Sequence, residues 1–135
     1  MGDDVIYNKI EIIERCIQRV YEEYQGRPEN LENYTKQDSI ILNIQRACEA
    51  VIDLAMHVVA EKKLGIPQNS RDAFELLEKN GLIDSQLAQK LKSVVGFRNI
   101  AVHNYQSLNL EIVKKIIEYN LKNLTLFGQT VLTRL

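Results

Sequence analysis

Residues 98–105, RNIAVHNY, place an arginine, a histidine and a tyrosine within a single short segment. Arginine offers a permanent charge and a planar fork of donors that suits phosphate oxygens. Histidine, with an ordinary pKa of about 6.5, can take or give a proton at neutral pH. The segment therefore has the parts for proton transfer beside a bound anion, with Arg98 and His103 as the pair. On an unbroken helix these two would stand about 140° apart, because five steps at 3.6 residues per turn separate them. Either the helix opens before His103, which Asn104 and a short linker permit, or the two groups meet across a partner subunit. Tyr105 has three readings: a packed surface aromatic, a stacking platform for a base, or an acceptor hydroxyl for modification. Taken alone, the spacing also fits an exposed arginine followed by a capping or partly buried histidine.

A second polar constellation lies upstream, where Arg46, Glu49, Asp53 and His57 recur at spacings of three and four amid apolar positions. One account is a set of intrahelical ion pairs on a solvated or interfacial face. The other is a set of supports that orient Arg98 or His103. Cys16 and Cys48 fall among apolar residues in helical patterns, where a free thiol packs as a small hydrophobe. His57 and His103 are the two histidines, so no close-spaced Cys/His set exists for zinc. Neither a metal nor a cofactor is expected. With 17 Lys and Arg against 18 Asp and Glu, the net charge is -1. The chain thus lacks the broad positive field of a non-specific nucleic-acid binder, and any nucleic acid must be held locally.

The elements that must position these residues are legible as helices. Ile6, Ile10, Ile13, Ile17, Val20 and Tyr24 recur at helical spacing and predict a helix over residues 5–24, stopped by Gly26 and Pro28. Thr35 with Asp38 resembles a capping box at the start of a second helix. Ile41, Ile44, Cys48, Val51, Ala55, Val58 and Val59 carry that helix inward, and Gly65 with Pro67 ends it. Ser70 is placed to cap a short third helix bearing Phe74, Leu76 and Leu77, closed by a left-handed Gly81. Asp84 or Ser85 opens a fourth, with Leu87, Leu91, Val94 and Val95 inward. Its end is not fixed by the pattern, since Gly96 weakens it while Ile100 and Val102 extend the apolar run. Asn109 caps a fifth, whose buried stripe is Ile112, Val113, Ile116, Ile117, Leu121, Leu124 and Phe127.

No period-two alternation bounded by hairpin turns is present, so the fold class is all-α. The length of 135 residues, with 26% charged residues, six glycines and two prolines, fits a single folded domain over residues 1–135. The opening Met-Gly-Asp-Asp has no secretory pattern, and Ile6 stands where a myristoylation motif needs Ser or Thr. Asp53 and His57 interrupt the longest apolar candidate for a membrane span. A cytoplasmic location with reduced thiols and no membrane partner is expected.

The segment resembles the R-x4-H-x-Y motif of HEPN proteins, and in particular of the HepT-like toxins. Asn99 matches the polar residue that follows the arginine there. The likeness extends through LGIPQNSRDAFELLEKNGLI, residues 64–83, and QRACEAVIDLAMH, residues 45–57, covering most of the chain from Ile40 to Leu110. The first helix and residues 27–34 carry little family-specific information. The resemblance implies an antiparallel bundle of about five helices, a homodimer, and a ribonuclease site shared between protomers. It also implies a partner, a nucleotidyltransferase antitoxin of the MNT type, that attaches AMP to the motif tyrosine and silences the toxin.

Chemistry makes that motif intelligible. RNA carries its own nucleophile, so cleavage without metal needs a base for the 2′-hydroxyl, an acid for the departing 5′-oxygen and positive charge at the phosphate. A two-fold dimer brings two copies of one surface together, and two His103 residues could divide the acid and base roles. Arg98 would hold the phosphate, and Asn99 could orient either group. The expected function is a metal-independent endoribonuclease toxin that cleaves tRNA or other cellular RNA and leaves a cyclic phosphate. The alternative is a non-catalytic helical subunit that mainly binds a nucleotidyltransferase and presents nucleotide or substrate to it. A purely structural helical dimer leaves the polar cluster before the fifth helix without a role.

Overall fold

In a computed structural model the chain is described over residues 2–134, with side chains over residues 4–134. Met1 and Leu135, part of the expected single domain, lie outside the described residues, and of Gly2 and Asp3 only the backbone is described. Every regular element described is helical: α1 (Gly2–Tyr24), a 3-10 turn (Pro28–Glu32), α2 (Tyr34–Glu61), α3 (Ser70–Lys79) and α4 (Ser85–His103). A 3-10 turn (Tyr105–Ser107), α5 (Leu110–Lys115), a π-helical turn (Ile116–Asn120) and α6 (Leu121–Arg134) complete the bundle.

The expected apolar stripes form the core. All six spaced positions of α1 and all seven of α2 are buried, as are Phe74, Leu77, Leu87, Leu91, Val94 and Val95. Leu76 packs against this core while staying partly exposed. α1 and α2 pair as an antiparallel hairpin, which Lys9 ties to Asp53 at 3.1 Å. α6 returns along α1 closely enough that a Cβ on Gly128 would stand 3.3 Å from Ile10 Cγ1. Phe74 of α3 meets Phe127 of α6 edge to face, with ring centroids 6.0 Å apart, the arrangement that the ring quadrupoles favour.

Several helix ends differ from the sequence expectation. The cap of α2 is Asn33, whose side chain accepts the Lys36 N–H at 3.0 Å. Thr35 and Asp38 are therefore already helical, because asparagine satisfies the orphan donors two residues earlier than the capping box would. α2 also ends sooner, at Glu61, with Lys63 in the left-handed region at φ 54° and the Leu64 N–H on the Val59 carbonyl. The cap of α3 is Asn69, accepting from the Asp72 N–H, and Ser70 is the first helical residue. Asp84 caps α4, Asn109 caps α5 and Gly81 is left-handed at φ 77°, each as expected.

The fifth helix departs in register. Its buried positions Val113, Ile117 and Leu121 are spaced by four, and each such step overshoots a straight α-helical stripe by about 40°. The wider π turn absorbs that drift, so Val113, Ile117 and Leu121 stay inward. Ile112, expected in the core, is 49% exposed.

Candidate active site

α4 is the element that matters most for the site. Gly96 does not end it: the helix continues through His103, and Asn104 closes it by donating its N–H to the Ile100 carbonyl at 2.8 Å. A glycine is useful at position 96 because a Cβ there would meet the Arg71 guanidinium at 3.3 Å. With the helix unbroken, Arg98 and His103 keep their separation of about 140°. The possibility that the helix opens before His103 is thereby removed, and the described chain contains no hydrogen bond between the two.

Arg98 is half-buried. Its Nε donates to Asn99 Oδ1 at 2.9 Å and its Nη2 to Ser70 Oγ at 3.4 Å. Ser70 can receive it because Asn69 has taken over the cap. A guanidinium has five N–H groups, so three remain for an anion while the other two fix its plane. His103 is exposed on the last turn of α4. Arg98 and His103 thus lie on one rod but face different ways, and Asn99 sits against the arginine.

Tyr105 begins the 3-10 turn after α4. Its hydroxyl donates to Asp38 Oδ1 of α2 at 2.5 Å, while the residue stays 40% exposed. Partial burial, and then the hydrogen bond to Asp38 and its charge, push the tyrosine pKa up to about 12. Asp38 is the residue near this site that sequence reading missed, since its contact spans 67 positions and its local spacing fitted a capping box.

Among the described residues, Arg46, Glu49, Asp53 and His57 form no ion pair with one another, so the expected intrahelical set is absent. Asp53 pairs with Lys9 of α1, and His57 Nε2 lies 3.6 Å from Glu61 Oε1. That separation is too long for a hydrogen bond, and the buried Nε2 has no hydrogen-bond partner. Among the described residues none of the four hydrogen-bonds Arg98 or His103. Arg46, Glu49 and Asp53 instead line a groove of about 500 Å³ between α1 and α2 with Lys9, Arg15 and Arg19. Cys16 and Cys48 are buried free thiols, and burial pushes the pKa of each upward. Among the described residues no three His, Cys, Asp or Glu side chains converge as metal ligands, and no helix is long and apolar enough to cross a membrane.

The chain is an all-helical bundle in which a half-buried arginine, an exposed histidine and a tyrosine stand around the end of one helix, and the class into which it falls is that of the helical ribonucleases. Within it, the chain belongs to the ribonuclease HepT-like family, whose model matches residues 6–131. The match takes in α1, where the sequence alone carries little family-specific information. The chain is 49% identical over 125 residues to the mRNA nuclease HepT of Shewanella oneidensis, covering 93% of this chain and 94% of that protein. It superposes with a TM-score of 0.90 and 47% identity on a tri-AMPylated Shewanella oneidensis HEPN toxin solved in complex with its MNT antitoxin, covering 96% and 98% of the two chains. A toxin–antitoxin crystal structure with AMP-PNP gives a TM-score of 0.91 at 46% identity, with the same coverage.

Proposed function

We propose that residues 1–135 act as a single HepT-like domain, a cytoplasmic toxin that cleaves cellular RNA without metal. Arg98 and His103 are its catalytic pair, and Asn99 holds the arginine. The observation that carries this reading is the unbroken α4. It presents Arg98, with three N–H groups uncommitted, and an exposed His103 in fixed relation but on different faces. A composite site answers that geometry. Across a two-fold axis, one imidazole takes the 2′-hydroxyl proton as that oxygen attacks phosphorus. The other protonates the departing 5′-oxygen, leaving a 2′,3′-cyclic phosphate, while the guanidiniums hold the phosphate oxygens. Support for a second copy comes from the apolar residues beside the motif. Ile100, Val102 and Ile112 are 40%, 46% and 49% exposed, and Ile100 and Ile112 line an open groove between α4 and α5 of about 590 Å³.

The silencing partner is an MNT-type nucleotidyltransferase, as in the Shewanella complex, with Tyr105 as the AMP acceptor. A phosphodiester there adds bulk and about one negative charge beside the phosphate-binding site, which opposes RNA binding. The reading is tested with Arg98→Ala and His103→Ala. Each is expected to lower RNA cleavage by on the order of 10² or more while leaving the helical content unchanged, and wild-type cleavage is expected to persist in excess chelator. Near wild-type activity in both variants, or loss of activity on chelation, contradicts it.

A further inference from the structure

Asp38 has been freed from the role its spacing suggested. Asn33 caps α2, and among the described residues no cation pairs with the Asp38 carboxylate. The group is exposed, and what it does hold is the Tyr105 proton, through a hydrogen bond of 2.5 Å. A phenol is a weak nucleophile toward phosphorus until it sheds that proton. Here burial and the neighbouring carboxylate keep the tyrosine protonated, with a pKa pushed up to about 12. A free phenolate therefore does not form beforehand at neutral pH, and the proton must leave as the new bond forms, toward an acceptor already in contact.

We propose that Asp38 is the general base for adenylyl transfer to Tyr105. The inference rests on the reading of Tyr105 as the AMP acceptor. In the step, the Tyr105 oxygen bonds to the α-phosphorus of ATP, the bond from that phosphorus to the bridging oxygen breaks, and pyrophosphate departs. The tyrosine proton passes to Asp38 Oδ1 and then to water. The ester oxygen that results has no proton to donate, and the new phosphodiester puts a negative charge beside the carboxylate. The contact between α2 and Tyr105 is consequently lost once the transfer is complete.

The test uses the toxin with its nucleotidyltransferase partner, ATP and magnesium, read by intact mass and peptide mapping, with RNA cleavage by the unmodified protein measured in parallel. Asp38→Asn keeps an acceptor oxygen at the same place but removes its basicity. It is expected to slow the first adenylate on the Tyr105 peptide by on the order of 10², with RNA cleavage near wild type. Asp38→Ala is expected to be equally slow and to regain rate in added formate, which can occupy the exposed gap. Formate is expected to do nothing for Asp38→Asn, whose amide fills that space. Wild-type transfer in Asp38→Asn, an Asp38→Ala that formate does not rescue, or RNA cleavage that falls in step with transfer overturns the proposal. Adenylate that still appears on Tyr105→Phe removes the acceptor reading and this proposal together. Adenylate on Tyr105 at equal rates in wild type and Asp38→Asn removes the base assignment alone.

Discussion

At Tyr105 a single hydrogen bond joins the end of the motif to a helix that begins more than sixty positions earlier in the chain, and this bond has a pH signature. The folded-state pKa is raised, from the ordinary 10 to about 12, so between those values the unfolded chain has lost a proton that the folded chain keeps. Stability drawn from the contact is therefore complete below about pH 10 and is lost as pH rises through about 12. Alkaline titration followed by phenolate absorbance, taken as wild type minus Tyr105→Phe, is expected to give a midpoint well above that of an exposed tyrosine. Asp38→Ala is expected to bring it down, since the hydrogen bond and the charge go and partial burial alone remains. A wild-type midpoint at the ordinary value contradicts the contact. Arg98, by comparison, stands out in the sequence as a candidate from its type and its neighbours, whereas its anchor on Ser70 does not. The serine reads as a cap until the adjacent Asn69 is seen to hold that position.

Among the elements, α2 offers a direct check on which residue starts a helix. Asn33→Ala is expected to lower stability by about 1 kcal/mol, the usual cost of losing a side-chain cap. Thr35→Ala, inside the helix and exposed, is expected to stay within about 0.5 kcal/mol of wild type. Urea unfolding of the two variants distinguishes them, and the reverse order contradicts the assignment of the cap. The helices themselves were legible because their apolar periods are long and regular, as in α1, where every spaced position from Ile6 to Tyr24 is buried. What resisted reading depends on contacts from other parts of the chain. α4 runs through Gly96, where a Cβ would meet the Arg71 guanidinium at 3.3 Å, and nothing within the α4 sequence records that neighbour. A pure α-helical period places Ile112 in the core, and the π turn at Ile116–Asn120 shifts that period. Asp38 was misread for a related reason, since a spacing of three describes a capping box and cannot reveal a distant partner.

For the whole molecule, assembly is testable at Ile112. Its exposure, with that of Ile100, leaves apolar side chains in the groove beside the motif, the place where a second copy is proposed to sit. Ile100→Asp and Ile112→Asp should each leave the monomer fold nearly intact, since solvent-exposed substitutions cost within about 0.5 kcal/mol. Each is expected to shift the protein toward monomer in sedimentation and to lower RNA cleavage in proportion. A wild-type protein that is a fully active monomer, or variants that stay dimeric and active, contradict the composite site.

The continuity of α4 also works as a ruler. At 1.5 Å of rise per residue, five residues set the Cα atoms of Arg98 and His103 about 7.5 Å apart along the axis. A helix holds that interval more firmly than a loop would. If the catalytic groups of two copies face each other, the dimensions of the site are then fixed by how two stiff rods cross, and only a slip of one whole rod past the other can detune it. Sequence drift in the loops around the site can proceed without altering its gauge, whereas one residue inserted between Arg98 and His103 would turn the histidine by about 100° and carry it out of reach.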